Sequence, residues 1–125
     1  MRKLIFGILF ILTTTLLYSA IGYVDNAKRF NGSWRAPTLV GGEIYSVTFP
    51  VPILLDTIVV TGDEVGGVVV LIGTQEIRRY GYAANRTAGE IFVMPIYIAS
   101  GVAISFQLES GADGFHGVSI SGTLQ

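Results

Sequence analysis

Apolar and polar residues alternate most strictly near the C-terminus. Val102, Ile104, Phe106 and Leu108 alternate with Ala103, Ser105, Gln107 and Glu109, and Val118, Ile120 and Leu124 alternate with Ser119, Ser121 and Thr123. A period of two puts successive side chains on opposite faces, so both stretches are predicted as half-buried strands. Between them, Ser110-Gly111-Ala112-Asp113-Gly114 supplies residues that tolerate positive φ, which predicts an antiparallel hairpin. Ser100-Gly101 supplies a similar turn, joining Val102 back to the run Glu90 to Ala99.

Upstream, Glu43 to Phe49, Ile53 to Thr61 and Val68 to Ile72 are rich in Ile, Val, Thr and Tyr, and Glu76 to Tyr80 reads as a further strand. Pro50 and Pro52 separate the first pair, and Gly62-Asp63-Glu64-Val65-Gly66-Gly67 separates the second. About seven strands at spacings of roughly 8 to 12 residues, with no amphipathic helical window after residue 25, predict an all-β domain. The expected form is a small antiparallel sandwich of jelly-roll type. The continuous runs Ile58-Val59-Val60 and Val68 to Ile72 predict central strands covered on both sides, or an oligomer interface over one face. Asp25 to Gly42 reads as a stalk or lead-in, polar at first and then holding Trp34, Pro37 and the helix-stopping Gly41-Gly42 pair.

The N-terminus follows a different pattern. Between Lys3 and Asp25 lie 21 residues without a charge. As a helix they would span roughly 30 Å, the thickness of one bilayer core. Leu4, Ile8, Leu12 and Leu16 would lie within the membrane, with Tyr18 and Tyr23 at its interface. Arg2 and Lys3 should stay cytoplasmic, which exports everything beyond Tyr23. The segment reads either as a retained transmembrane anchor, ending in interfacial tyrosines, or as a signal peptide cleaved after Gly22. The expected organisation is therefore 1–24 anchor or signal peptide, 25–42 lead-in and 43–125 sandwich. Localisation follows as membrane-associated with an exported C-terminal domain, or secreted if the segment is removed.

Composition narrows the function classes. Only 14% of the 125 residues are charged and 50% are hydrophobic, which excludes a disordered chain and favours membrane contact. Sixteen glycines suit short strands joined by tight turns, and the absence of cysteine removes disulfides, thiolate metal sites and a cysteine nucleophile. From Asp25 onward six basic residues face nine acidic ones, a net charge of −3 and the wrong sign for a nucleic-acid partner.

Few residues carry recognisable chemistry. His116, with Asp113 or Ser119, is the one conceivable hydrolytic group, yet no nucleophile elbow, metalloprotease pair or phosphate loop accompanies it, so no enzyme is expected. Asp63-Glu64, and Glu109 with Asp113, offer hard oxygen ligands to Ca2+, without the spacing of a dedicated calcium loop. Arg78 and Arg79 should point to opposite faces and cannot form one anion-binding fork. Among the aromatics, Trp34, Tyr80 and Tyr82 are the candidate platform for stacking on sugar rings; core packing is the competing role for each.

The stretches IYSVTFPVPILLDTIVVTG and IFVMPIYIASGVAISFQLE and the ending GVSISGTLQ resemble small jelly-roll domains of phage and viral surface proteins, over roughly Glu43 to Gln125. The resemblance rests on strand and turn texture. It implies a structural component of a virion, working in assembly or attachment as a symmetric oligomer, and the N-terminal segment suits one that ties a membrane to an outer shell. The sequence thus points to a non-enzymatic assembly protein packing against copies of itself or a shell partner, with lipid as a further partner. The alternative is a secreted or surface-tethered glycan-binding module.

Overall fold

A computed structural model describes residues 23–24 and 28–125 of the chain. Among these residues it contains strands and turns and no helix. In chain order the strands are β1 (Tyr23–Val24), β2 (Arg29–Thr38), β3 (Glu43–Thr48), β4 (Ile53–Gly62), β5 (Gly66–Ile72), β6 (Gln75–Tyr82), β7 (Arg86–Ile98), β8 (Ala103–Gly111) and β9 (Gly114–Leu124). One sheet has the order β1-β2-β9-β4-β7 and the other β3-β8-β5-β6, with every pairing antiparallel. Strands β2 to β9 thus form two four-stranded sheets that exchange the chain repeatedly, the topology of a jelly roll, and β1 extends the first sheet.

The predicted strands are present, but two of the predicted connections differ. The Ser110–Gly114 turn does not close a hairpin: β8 pairs with β3 and β5, whereas β9 pairs with β2 and β4 in the opposite sheet. The turn at Ser100-Gly101 likewise passes between sheets, from β7 to β8. The stretch expected as a lead-in holds β2, whose ten residues pair with β9 from Arg29↔Thr123 to Thr38↔Gly114. The sandwich therefore begins well before Glu43.

The expected anchor or signal helix, with Leu4, Ile8, Leu12, Leu16 and Tyr18, lies outside the described residues. Tyr23, expected at its interfacial end, pairs through its backbone with Asn31 in β1. Among the described residues no helix is long and apolar enough to cross a membrane.

Phe30, Ile53, Leu55, Ile58 and Ile120 from one sheet meet Val68, Val70, Ile104, Phe106 and Leu108 from the other, all nearly or wholly buried. Burial of each such side chain contributes about 1.5–3 kcal/mol, which is what holds the two sheets together. The two open seams are closed differently. Where β2 faces β3, Trp34 stacks on Tyr45 with ring centroids 5.3 Å apart and planes 23° from parallel. Where β6 faces β7, Glu90 accepts hydrogen bonds from Arg78 Nε at 2.8 Å and Tyr80 Oη at 2.7 Å, and the Arg78 guanidinium lies 5.1 Å over the Phe92 ring.

Candidate interaction surface

Strand β7 is the longest, at 13 residues, and it forms one edge of its sheet. Its pairing with β4 runs regularly from Gly62↔Arg86 to Thr57↔Ile91 and resumes at Leu55↔Ile96. Only Asp56 separates the two registers on β4, whereas Phe92, Val93, Met94 and Pro95 separate them on β7. The surplus residues must leave the ladder, and Pro95, which lacks an N–H, sits where no ladder bond is required. The excursion leaves Val93 98% and Met94 84% exposed, with Ile91 at 79% and Tyr97 at 61%.

Cross-strand partners share a face, so the register divides the outer surface of this sheet into two halves. Toward β2 and β9 it is polar: Arg35, Ser33 and Asn31 lie beside Gly117, Ser119 and Ser121. Ser33 and Ser119 share a hydrogen bond of 2.8 Å there. Toward β4 and β7 it is apolar, with Leu54, Val59, Ile91 and Tyr97 on the same face. Alternation adds Val93 to that face. A shallow hollow of about 590 Å³ lies within this apolar half, lined by Thr57, Val59, Thr87, Ala88, Gly89, Glu90 and Ile91. Gly89 is central to it: a Cβ at this position would run into the backbone carbonyl of Ile58, so the floor of the hollow stays bare.

The three aromatic residues expected to form a sugar platform are not brought together. Trp34 is 44% exposed at the β2–β3 seam, where it borders a depression of about 470 Å³ with Glu43, Tyr45, Ser46 and Thr48. Tyr80 is half-buried at the opposite seam, donating to Glu90. Burial and then this carboxylate raise the Tyr80 hydroxyl well above the usual phenol range, and the same bond, followed by Arg78, holds the Glu90 carboxyl below its ordinary value.

Tyr82 is buried and cannot stack on a ligand. Its hydroxyl donates to His116 Nδ1, and burial pushes that hydroxyl up to about 12. On the other side of the ring, His116 Nε2 lies 3.0 Å from the carbonyl of Ala112, which can only accept, so the proton sits on Nε2. His116 is thus a fully buried, fully hydrogen-bonded core residue. A Cβ on Gly62 would come within 2.6 Å of His116 Nδ1, so glycine there makes room for the pair.

The other candidate groups are engaged in local contacts. Asp113 accepts from the Val40 backbone N–H at 3.1 Å, and Ser119 faces outward toward Ser33. Asp63 pairs with Arg35, and Glu109 pairs with Arg79, which also holds Glu76. Among the described residues no group of three or more His, Asp or Glu side chains is arranged to hold a metal ion. Arg78 and Arg79 diverge as alternation requires, the first toward Glu90 and the second toward Glu76 and Glu109.

What the sequence reading missed is the run Ile91 to Tyr97. Its apolar character was visible, but the register jump that turns Val93 and Met94 outward was not.

No family model matches the chain, and no curated protein matches its sequence. Among solved structures it is similar to the cupin domain of Schizosaccharomyces pombe Cnp3, with a TM-score of 0.41, 8% identity and coverage of 82% of this chain and 57% of that one. It is similar to the carbohydrate-binding module CBM36 in complex with calcium and xylotriose, with a TM-score of 0.46, 11% identity and coverage of 80% and 94%. It is also similar to the nucleoplasmin-like N-terminal domain of Drosophila FKBP39, with a TM-score of 0.46, 14% identity and coverage of 81% and 93%.

Proposed function

We propose that this chain is a non-enzymatic assembly protein whose jelly roll engages another protein surface through the outer face of β4 and β7. The observation that carries this reading is the contiguous exposure of Ile91, Val93, Met94 and Tyr97 on an edge strand. Scattered apolar residues are ordinary on a protein surface, whereas a contiguous patch marks a place that is covered in the working state. The core does not need these side chains, because Phe92, Ile96 and Ile98 of the same strand already point inward.

The uncharged 21-residue segment before Asp25 supports delivery of the domain across a membrane, or its retention there. With the resemblance of the strand texture to virion surface domains, it supports a setting in which a membrane is tied to a shell or surface array.

The test is a photo-activated cross-linking amino acid placed at Val93, and separately at Ser121 on the polar half, in the full chain within its native host. A protein adduct from position 93 that is absent from position 121 is expected. Equal or absent adducts at both positions would overturn the reading.

The depression beside Trp34 favours a second reading, glycan binding, in which the open indole face stacks on a sugar and Glu43, Ser46 and Thr48 offer hydrogen bonds. Binding on a broad glycan array that is lost in Trp34→Ala would support it. Silence of the unaltered protein across such an array would sink it.

A further inference from the structure

We infer that the apolar half of this outer face pairs with the same face of a second copy of the chain, about a two-fold axis near Ile91. The inference rests on the assembly reading above and names its partner.

A two-fold interface must be self-complementary: what one copy projects, the other must receive at the symmetric position. β7 carries both parts on one line. Its projection, Val93, lies just beyond Ile91, and its hollow, at Thr87 and Gly89, lies just before it. Antiparallel apposition about Ile91 seats Val93 of each copy over the Gly89 of the other. The hollow is a fixed feature, because the Ile58 carbonyl excludes any side chain at position 89.

Charge favours the same occupant. The chain from Asp25 onward has a net charge of −3, so two copies repel except where they meet on neutral surface. Along β7 only Arg86 and Glu90 are charged, and Glu90 is already held by Arg78 and Tyr80. By register both share the core-facing side of the strand, Arg86 with Gly62 and Glu90 with Ile58, so the outer face of β7 presents no charge to a second copy. A lipid surface fits less well, since membrane-docking faces flank their apolar residues with clustered Lys and Arg.

The area sets the strength. Thirteen residues rising about 3.3 Å each give a strip roughly 40 Å long, and two strands make it roughly 10 Å wide. About 400 Å² per copy falls short of the ~800 Å² per partner of a stable complex, so the pairing is transient and concentration-dependent.

The chain has no cysteine, so Ile91→Cys introduces a single thiol that the proposed axis brings against its own symmetry mate. Purified full-length chain in detergent is oxidised with copper phenanthroline, which takes two electrons as the two thiols join. At least tenfold more cross-linked dimer is expected from Ile91→Cys than from Ser121→Cys. Adding Val93→Asp should return the yield to the control level. Equal yields from Ile91→Cys and Ser121→Cys would overturn the inference. The photo-cross-link at Val93 separates the two levels of the argument. An adduct of twice the chain mass supports both, an adduct of another mass keeps the assembly reading and overturns self-pairing, and no adduct overturns both.

Discussion

Tyr82 shows how far a residue's role depends on its neighbours. It was a candidate for stacking on sugar rings, yet it is buried, and its hydroxyl completes the hydrogen bonding of His116. Removing that hydroxyl leaves Nδ1 in the core without a donor, and an unsatisfied buried polar atom costs about 1–3 kcal/mol. Tyr82→Phe should therefore lower the urea midpoint by that equivalent at unchanged slope. Tyr97→Phe, on the exposed face, should stay within about 0.5 kcal/mol of the unaltered protein. Equal effects of the two substitutions would mean that the histidine pair is not an internal support. The sequence showed a lone histidine in an alternating strand, but its buried partner lies 34 positions away and only the fold brings them together.

At the scale of elements, the strands were legible and their partners were not. Alternation reports that one face of a strand is buried, and it reads identically in either sheet of a sandwich. That is why the turn between Ser110 and Gly114 looked like a hairpin and is a crossing. β2 was hidden for another reason: its buried positions include Gly32 and Thr38, and only Phe30 among them is strongly apolar. The β6–β7 seam was equally out of reach, since Glu90 reads as one more charge until Arg78 and Tyr80 are placed against it. The hydrogen bond from Tyr80, then Arg78, keeps the folded-state pKa of Glu90 below its unfolded value of about 4.3. Its stabilisation is present above that value and is lost as pH falls through the folded-state pKa. Unfolding midpoints of the unaltered protein and Glu90→Gln should differ at pH 7 and converge as the pH is lowered below about 4. A difference that persists unchanged at low pH would show that the carboxylate does not lock this seam.

The whole molecule is organised by β9, the last strand, which lies between β2 and β4. Its pairing with β2 joins Arg29 to Thr123 across most of the chain, so the first sheet cannot close until nearly all of the sequence is available. Such non-local pairings carry a large loop-closure cost before they are rewarded, and folding on the millisecond-to-second scale is expected. Deleting residues 114–125 would leave β2 and β4 without their shared partner and expose Phe30, Ile58 and Val60 together. The truncated chain should therefore lack the cooperative unfolding transition of the full chain by circular dichroism, where loss of a merely peripheral strand would leave a shifted but cooperative one. The consequence reaches the proposed interface. β7 has β4 as its one ladder partner, and β4 is held on its other side by β9, so the ladder that shapes the Val93 projection and the Gly89 hollow is complete after the C-terminus has docked. Self-pairing through this face is then available only to chains that have finished folding.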